Sequence, residues 1–149
     1  MRIVIQRVTR ASVSIEGRVE SAIEKGMMVL LGVGYADTDD DIDWLVKKTI
    51  NLRIFDDSEG VMNLSVKDVE GDILVVSQFT LMASCKKGNR PSYIHAASPD
   101  VSVPLYERFC QRLSELLGKP VSTGVFGADM QVELVNDGPV TIVIDSKDK

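Results

Sequence analysis

The chain has 149 residues, of which 44% are hydrophobic and 26% charged, with a formal net charge of -5. That length suits one domain with a real hydrophobic core, and that composition is ordinary for a soluble globular protein. The negative charge argues against a general nucleic-acid binder held by phosphate neutralisation, and no apolar run approaches the roughly 20 residues of a membrane span.

The first residues, Met1-Arg2-Ile3-Val4-Ile5-Gln6-Arg7, turn polar too early for a signal peptide and read as a strand over Ile3 to Val8. Ser12-Val13-Ser14-Ile15 alternates with period two, Glu16-Gly17 breaks it, and Val19 and Ile23 resume an apolar return. This is a hairpin signal. Met27 to Leu31 is a continuous apolar run, expected to be a strand buried on both faces. Gly32 and Gly34 loosen the backbone at its end.

Acids crowd Asp37 to Asp43, where they complement the positive end of a helix dipole. Ile42, Leu45, Val46 and Thr49 then recur at helical spacing. A metal loop on Asp37, Asp39 and Asp41 is the sharper alternative, but the run lacks the glycine and distal glutamate of a calcium loop. Leu52 to Phe55 is a short strand candidate, Asp56 to Gly60 a turn, and Asn63 to Val69 irregular.

Ile73 to Leu81 reads as the central strand, with Ser77, Gln78 and Thr80 placing polar groups around Phe79 where the apolar run should continue. Ser84 to Pro91 is a loop carrying Lys86, Lys87 and Arg90, the densest basic patch in the chain. Pro104 suits the first turn of a helix with the stripe Leu105, Phe109, Leu113, Leu116 and Leu117, which Gly118 and Pro120 stop. Val121 to Phe126 is a short strand candidate. Two alternating runs, Met130 to Leu134 and Val140 to Ile144, flank Asn136-Asp137-Gly138-Pro139. The sum is a strand-rich single domain over residues 1–149 with two helices, of α/β or α+β class.

Cys85 and Cys110 lack C-x-x-C spacing, so neither a disulfide framework nor a zinc knuckle is expected, and a cytoplasmic location follows as the default. Without secretion, the sequon Asn63-Leu64-Ser65 carries no meaning. The single histidine, His95, has no nucleophile elbow to serve and reads as a surface or packed residue. Walker, H-E-x-x-H and dinucleotide fingerprints are missing, so metal, nucleotide and serine-protease readings are weak, and no cofactor is expected. What remains is backbone chemistry: an ester carbonyl polarised by fixed N–H donors. The end of the strand at Ser77-Gln78-Phe79-Thr80 is the place for it, although polar residues at strand ends are more often caps or turns.

Ser77-Gln78-Phe79-Thr80-Leu81 and Asn136-Asp137-Gly138-Pro139-Val140-Thr141 together resemble the signature pair of D-aminoacyl-tRNA deacylases. The likeness runs over nearly the whole chain. It includes Ile5-Gln6-Arg7-Val8, Asn51-Leu52-Arg53-Ile54-Phe55, Lys87-Gly88-Asn89-Arg90-Pro91-Ser92, Leu105-Tyr106-Glu107-Arg108-Phe109, and Gly124 to Val132. Tyr93 stands where phenylalanine is common in that family.

The resemblance implies a barrel-like sheet and an enzyme that cleaves the ester between a D-amino acid and the terminal adenosine of tRNA. It also implies a homodimer with the site near the subunit interface. A cis Gly138-Pro139 bond would enter the partner's site, turning its carbonyls toward the substrate's α-amino group. Arg7 would brace that loop, and Met130 and Phe79 would line the pocket. An L side chain would meet the wall and a D side chain open space. Glycine has no side chain to reject, so glycyl-tRNA is an expected second substrate.

Two catalytic readings stand. Thr80 is the nucleophile, or the N–H groups near Gln78 and Phe79 form an oxyanion hole while the ribose 2′-hydroxyl, or a water it positions, assists. The second is preferred because no base is placed to activate a threonine. Lys86, Lys87 and Arg90 are the candidates to meet tRNA. The rivals are a non-catalytic dimeric tRNA-binding module and a hydrolase of another small ester.

Overall fold

In chain order the elements are β1 (Arg2–Ile15), β2 (Arg18–Ile23), β3 (Gly26–Gly32), α1 (Asp39–Asn51), β4 (Phe55–Asp56), β5 (Met62–Leu64), β6 (Asp72–Ser77), α2 (Pro99–Leu117), β7 (Ser122–Thr123) and β8 (Gln131–Asp145), with a 3-10 turn over Phe79–Met82. This is a computed structural model describing all 149 residues. No helix is long and apolar enough to cross a membrane.

The N-terminal pattern, expected as two strands, forms one strand of 14 residues. The first half of β1 pairs antiparallel with β3, the second half with β2, and its other edge pairs with β8 along almost the whole length. Glu16 and Gly17, with φ of 51° and 77°, make the two-residue β1–β2 turn; positive φ at both positions suits the twist of a hairpin. β3, β6 and β7 run parallel, and each β-to-β crossover carries a helix. Ser21 Oγ of β2 donates to Thr123 O of β7 at 2.7 Å, bringing the two ends of the sheet together as a nearly closed barrel.

The two faces of this sheet fill two cores. Val8, Ala11, Val13, Ile23, Met28, Leu74 and Val76 pack inside the barrel. Ile3, Ile5, Met27, Val29, Ile73 and Val75 point the other way, into a core of 22 residues roofed by α1 and α2. β3 and β6 are therefore buried on both faces, as their unbroken apolar runs require.

Along β1, side chains should alternate strictly, yet Val8, Ala11 and Val13 share one face. An extra residue, Thr9, opposes the step from Asn136 to Val135 in β8. That one-residue bulge flips the parity of everything after it.

Several expectations change. β6 ends at Ser77 rather than Leu81, because the chain turns into the 3-10 helix. Of Leu52–Phe55 only Phe55 is in a strand, and of Val121–Phe126 only Ser122 and Thr123 are. Met62–Leu64 is a strand and takes in the first two residues, Asn63 and Leu64, of the stretch read as irregular. α2 begins at Pro99, not Pro104; Pro99 takes the first helical position after Ser98, and Pro104 lies inside. Pro104 has no N–H for the Asp100 carbonyl, and Asp100 is exposed, open to water. Gly118 ends the helix with φ of 85° and its N–H on Ser114 O at 2.9 Å. Leu116, counted in the apolar stripe, is exposed, whereas Leu105, Phe109, Leu113 and Leu117 are buried.

The acids before α1 are spent on structure. Asp41 accepts from the Thr38 N–H at 2.8 Å, reaching back to the residue that opens the helix. Asp39 pairs with Arg108 and Arg112, and Asp37 accepts from the Gly34 N–H at 2.6 Å.

Candidate active site

β6 delivers its polar end beside β3. Ser77 pairs with Leu31, and the Gln78 N–H donates to Leu31 O at 2.8 Å. The chain then tightens into the 3-10 turn, lying so close to β3 that a Cβ on Gly32 would sit 3.0 Å from Leu81 Cβ and 3.1 Å from Gln78 O. Glycine at 32 is what admits the turn.

Within the turn, the Leu81 N–H reaches Gln78 O at 3.2 Å, and the Ala83 N–H reaches Thr80 O at 3.1 Å. The N–H groups of Phe79 and Thr80 open the turn and have no acceptor in the chain. This revises the expected donor pair. The Gln78 N–H is consumed by β3, and the two free donors are those of Phe79 and Thr80.

The Thr80 hydroxyl has one hydrogen-bond partner, the Gln78 side-chain amide, whose Nε2 donates to Oγ1 at 2.5 Å. An amide nitrogen supplies a proton and cannot remove one, so no base activates this hydroxyl within the chain.

Ser77, Gln78 and Phe79 line a cleft of about 270 Å³. Its apolar wall comes from Leu31 and Val33 of the β3 end, Val76, Tyr106 of α2, and Phe126, Met130 and Val132. Phe79 is 56% exposed and meets Tyr93 edge-on, with ring centroids 5.1 Å apart. Beneath the cleft, Tyr106 OH donates to Val75 O at 3.1 Å and its ring meets Phe126 edge-on. Burial holds the Tyr106 phenol above its usual range and pushes the neighbouring Cys110 thiol up to about 12. Both groups are therefore neutral at physiological pH, and the floor beneath the cleft carries no charge from them.

Gly138 and Pro139 lie elsewhere. Between the pairs Gln6–Thr141 and Val8–Asn136, β1 has one residue, Arg7, and β8 has four, Asp137 to Val140. The excess bulges outward, with Gly138 and Pro139 exposed and their peptide bond cis. Opposite the bulge, Arg7 is only 7% exposed. Its Nε donates to Asp137 O at 3.1 Å and its Nη1 to Ile54 O at 2.7 Å. Asp56 and Asp137 carboxylates stand at 3.4 Å. A Cβ on Gly138 would come within 3.0 Å of Arg7 Nη2 and of Val140 Cγ2, and φ there is 125°.

Within one chain, then, Phe79 and Met130 share the cleft, while Arg7, Gly138 and Pro139 form a separate group that does not line it. Lys86, Lys87 and Arg90 are exposed on a loop whose ends are bridged by Ser84 and Ser92. His95 is exposed outside the cleft. Sequence reasoning missed Ser102, Tyr106 and Phe126 as cleft residues. A signal was available for the first two: they stand four apart on α2, on the buried side with Phe109 and Leu113.

A family model described as D-Tyr-tRNA(Tyr) deacylase matches residues 4–145. The chain belongs to that family. Among its relatives, a D-aminoacyl-tRNA deacylase of Bacteroides fragilis (strain YCH46) is 66% identical over 149 residues, covering 100% of this chain and 99% of the relative. One of Flavobacterium johnsoniae is 60% identical over the same spans. A solved structure of a c-Myc DNA unwinding element binding protein superimposes with a TM-score of 0.93 at 42% identity, covering 97% of this chain and 98% of that one. A probable eukaryotic D-amino acid tRNA deacylase superimposes with a TM-score of 0.82 at 21% identity, over 96% and 97% of the two chains, a likeness of fold. As a member of the deacylase family the chain is a hydrolytic enzyme, and its cleft is where free donors and an apolar wall meet.

Proposed function

We propose that the chain hydrolyses the ester of D-aminoacyl-tRNA, releasing tRNA and the free amino acid, as a chiral proofreader of translation in the cytoplasm. One observation carries the reading: Phe79, which lines the apolar cleft, and Thr80, the next residue, have main-chain N–H groups without acceptors in the chain. Donors fixed before the reaction stabilise charge as it develops on the carbonyl oxygen and need no reorganisation. Water, positioned by the ribose 2′-hydroxyl, adds to the carbonyl carbon. The bond to the ribose oxygen then breaks, and that oxygen takes up the proton the water gives up. Thr80 is not the nucleophile, because its hydroxyl has only an amide donor beside it.

Selection between enantiomers falls to the Gly138-Pro139 bulge acting from a second copy of the chain. β8 pairs only with β1, so its outer edge has no strand partner. Exposed Val132, Val135 and Val143 lie along it, Val143 at 63%. An uncovered edge with apolar side chains suits a homodimer contact. The bulge then enters the partner's cleft, its carbonyls receive the α-ammonium, and an L side chain meets the wall. A glycyl ester passes, having nothing to reject. Lys86, Lys87 and Arg90 give the tRNA local positive potential against an overall charge of -5.

The test is single-turnover deacylation of D-tyrosyl-, L-tyrosyl- and glycyl-tRNA. The D and glycyl esters should be cleaved and the L ester left intact. Cleavage of L-tyrosyl-tRNA at the D rate removes the stereochemical sieve. The fold likeness to a DNA-element binding protein favours one rival, a nucleic-acid module without catalysis. Binding of all three tRNAs with cleavage of none selects it.

A further inference from the structure

We propose that a second groove, back to back with the cleft, binds the unpaired nucleotides that precede the terminal adenosine of the acceptor end. This rests on the deacylase reading above. The groove has a volume of about 640 Å³. Three short segments separate it from the cleft, each giving residues to both sides. Val33 lines the cleft and Gly34 the groove; Phe79 lines the cleft and Met82 the groove; Ala97 lines the cleft and His95 the groove. A strand whose last ester sits at Phe79 therefore has this groove as its adjacent path.

The chemistry of the groove suits single-stranded nucleic acid. Tyr35 is 58% exposed and Ile94 74%, flat or apolar faces with nothing packed on them. Arg2, Lys86, His95 and Lys147 line it as well. Its acids are committed. Asp145 accepts from Arg2 Nε at 3.0 Å and Nη2 at 2.8 Å, and Asp37 accepts from the Gly34 N–H with Lys147 Nζ at 3.7 Å. Lys86 has no carboxylate within ion-pair distance, nor do Lys87 and Arg90 on the same loop. In the groove itself Lys86 is the free lysine, with Lys87 and Arg90 following it on the same loop; an exposed aromatic beside such positive charge is how proteins hold single strands, bases stacking on the ring and phosphates meeting the charges.

The experiment compares two substrates on the full-length protein: D-tyrosyl-tRNA and the D-tyrosyl ester of adenosine, which lacks every preceding nucleotide. Wild type should show a KM for the tRNA at least about tenfold below that for the adenosine ester, and Tyr35→Ala or Lys86→Ala should narrow that ratio by about tenfold. Tyr35 and Lys86 are exposed, so neither substitution threatens folding. The proposal is overturned if the wild-type ratio is near one, or if the variants leave it unchanged, including by raising both KM values equally. Wild-type protein that cleaves neither substrate overturns the deacylase reading itself, a distinct result.

Discussion

The two pieces of main chain to which we assign the chemistry are held in opposite ways. The Ser77–Thr80 end grows out of β6, a strand buried on both faces, and is clamped to β3 through the Gln78 N–H. Its position is set by the packing of two cores. The Gly138-Pro139 bulge hangs from an edge strand, faces solvent, and is tied down by the Arg7 guanidinium and by Asn136 Oδ1, which accepts from the Val140 N–H at 3.1 Å. The first site is anchored by the packing of the strand that carries it, although its own turn buries no residue; the second is held because Arg7, itself buried, donates to Ile54 O and Asp137 O. Preorganisation of backbone groups can thus come from apolar burial or from a few well-placed hydrogen bonds.

The comparison breaks first at the exposed site. Gly138→Ala places a methyl 3.0 Å from Arg7 Nη2 and Val140 Cγ2, at a φ that L residues rarely adopt. The bulge must shift, and a shift of about 1 Å in a positioning element costs on the order of 100-fold in rate. Deacylation of D-tyrosyl-tRNA should fall by about that factor. Gly138 and Pro139 are exposed and belong to neither core, so global stability should fall by only about 1 kcal/mol in urea denaturation. A drop of several kcal/mol would show that the bulge is part of the packed structure after all.

Arg7→Lys is the next largest test. Lysine keeps the charge but is a point donor and cannot hold Ile54 O and Asp137 O together as a planar fork does. Loss of a charged hydrogen bond from a site this buried costs about 2 kcal/mol. Stability should fall by that amount, and deacylation should drop about tenfold as the bulge loosens. Unchanged activity with lowered stability would assign Arg7 to the fold alone.

Much of this arrangement was legible in the sequence, and the gaps have physical causes. Met27–Leu31 reads as a strand buried on both faces, and the aliphatic start of Ile73–Leu81 as a buried central strand, because a parallel strand covered on both faces tolerates no polar alternation. The Gly118 stop of α2 and the acids opening α1 read correctly because capping is local chemistry. Two features were not local, and a third was ambiguous within its own segment. The continuity of β1 depends on the Thr9 bulge, which only its pairing with β8 reveals. The fate of the Gln78 N–H depends on Leu31, 47 positions earlier in the chain. The start of α2 is misplaced because two prolines compete for the first turn; in the structure Ser98 caps the helix, and the Ser102 hydroxyl donates to Ser98 O at 3.1 Å. Nothing in residues 77–80 or 136–139 themselves says that within one chain they lie apart.

The smallest expected effect belongs to Thr80→Ala, and it separates the two accounts of the packed site. The side chain is lost, but the Thr80 N–H remains, because alanine keeps the backbone donor. The Gln78 amide loses its 2.5 Å acceptor, and since Gln78 is half-buried at the cleft mouth, water replaces it at a cost of about 1 kcal/mol or less. If the main chain does the work, single-turnover deacylation falls by less than about tenfold. If Thr80 is the attacking group, its removal should cost on the order of 10⁶, as deleting a covalent nucleophile does elsewhere. The two outcomes are so far apart that partial misfolding cannot blur them, provided the circular dichroism spectrum of the variant matches wild type. A near-total loss would move the chemistry from the amides of residues 79 and 80 to a hydroxyl, and the rigid end of β6 would then matter for aiming a side chain instead of a backbone.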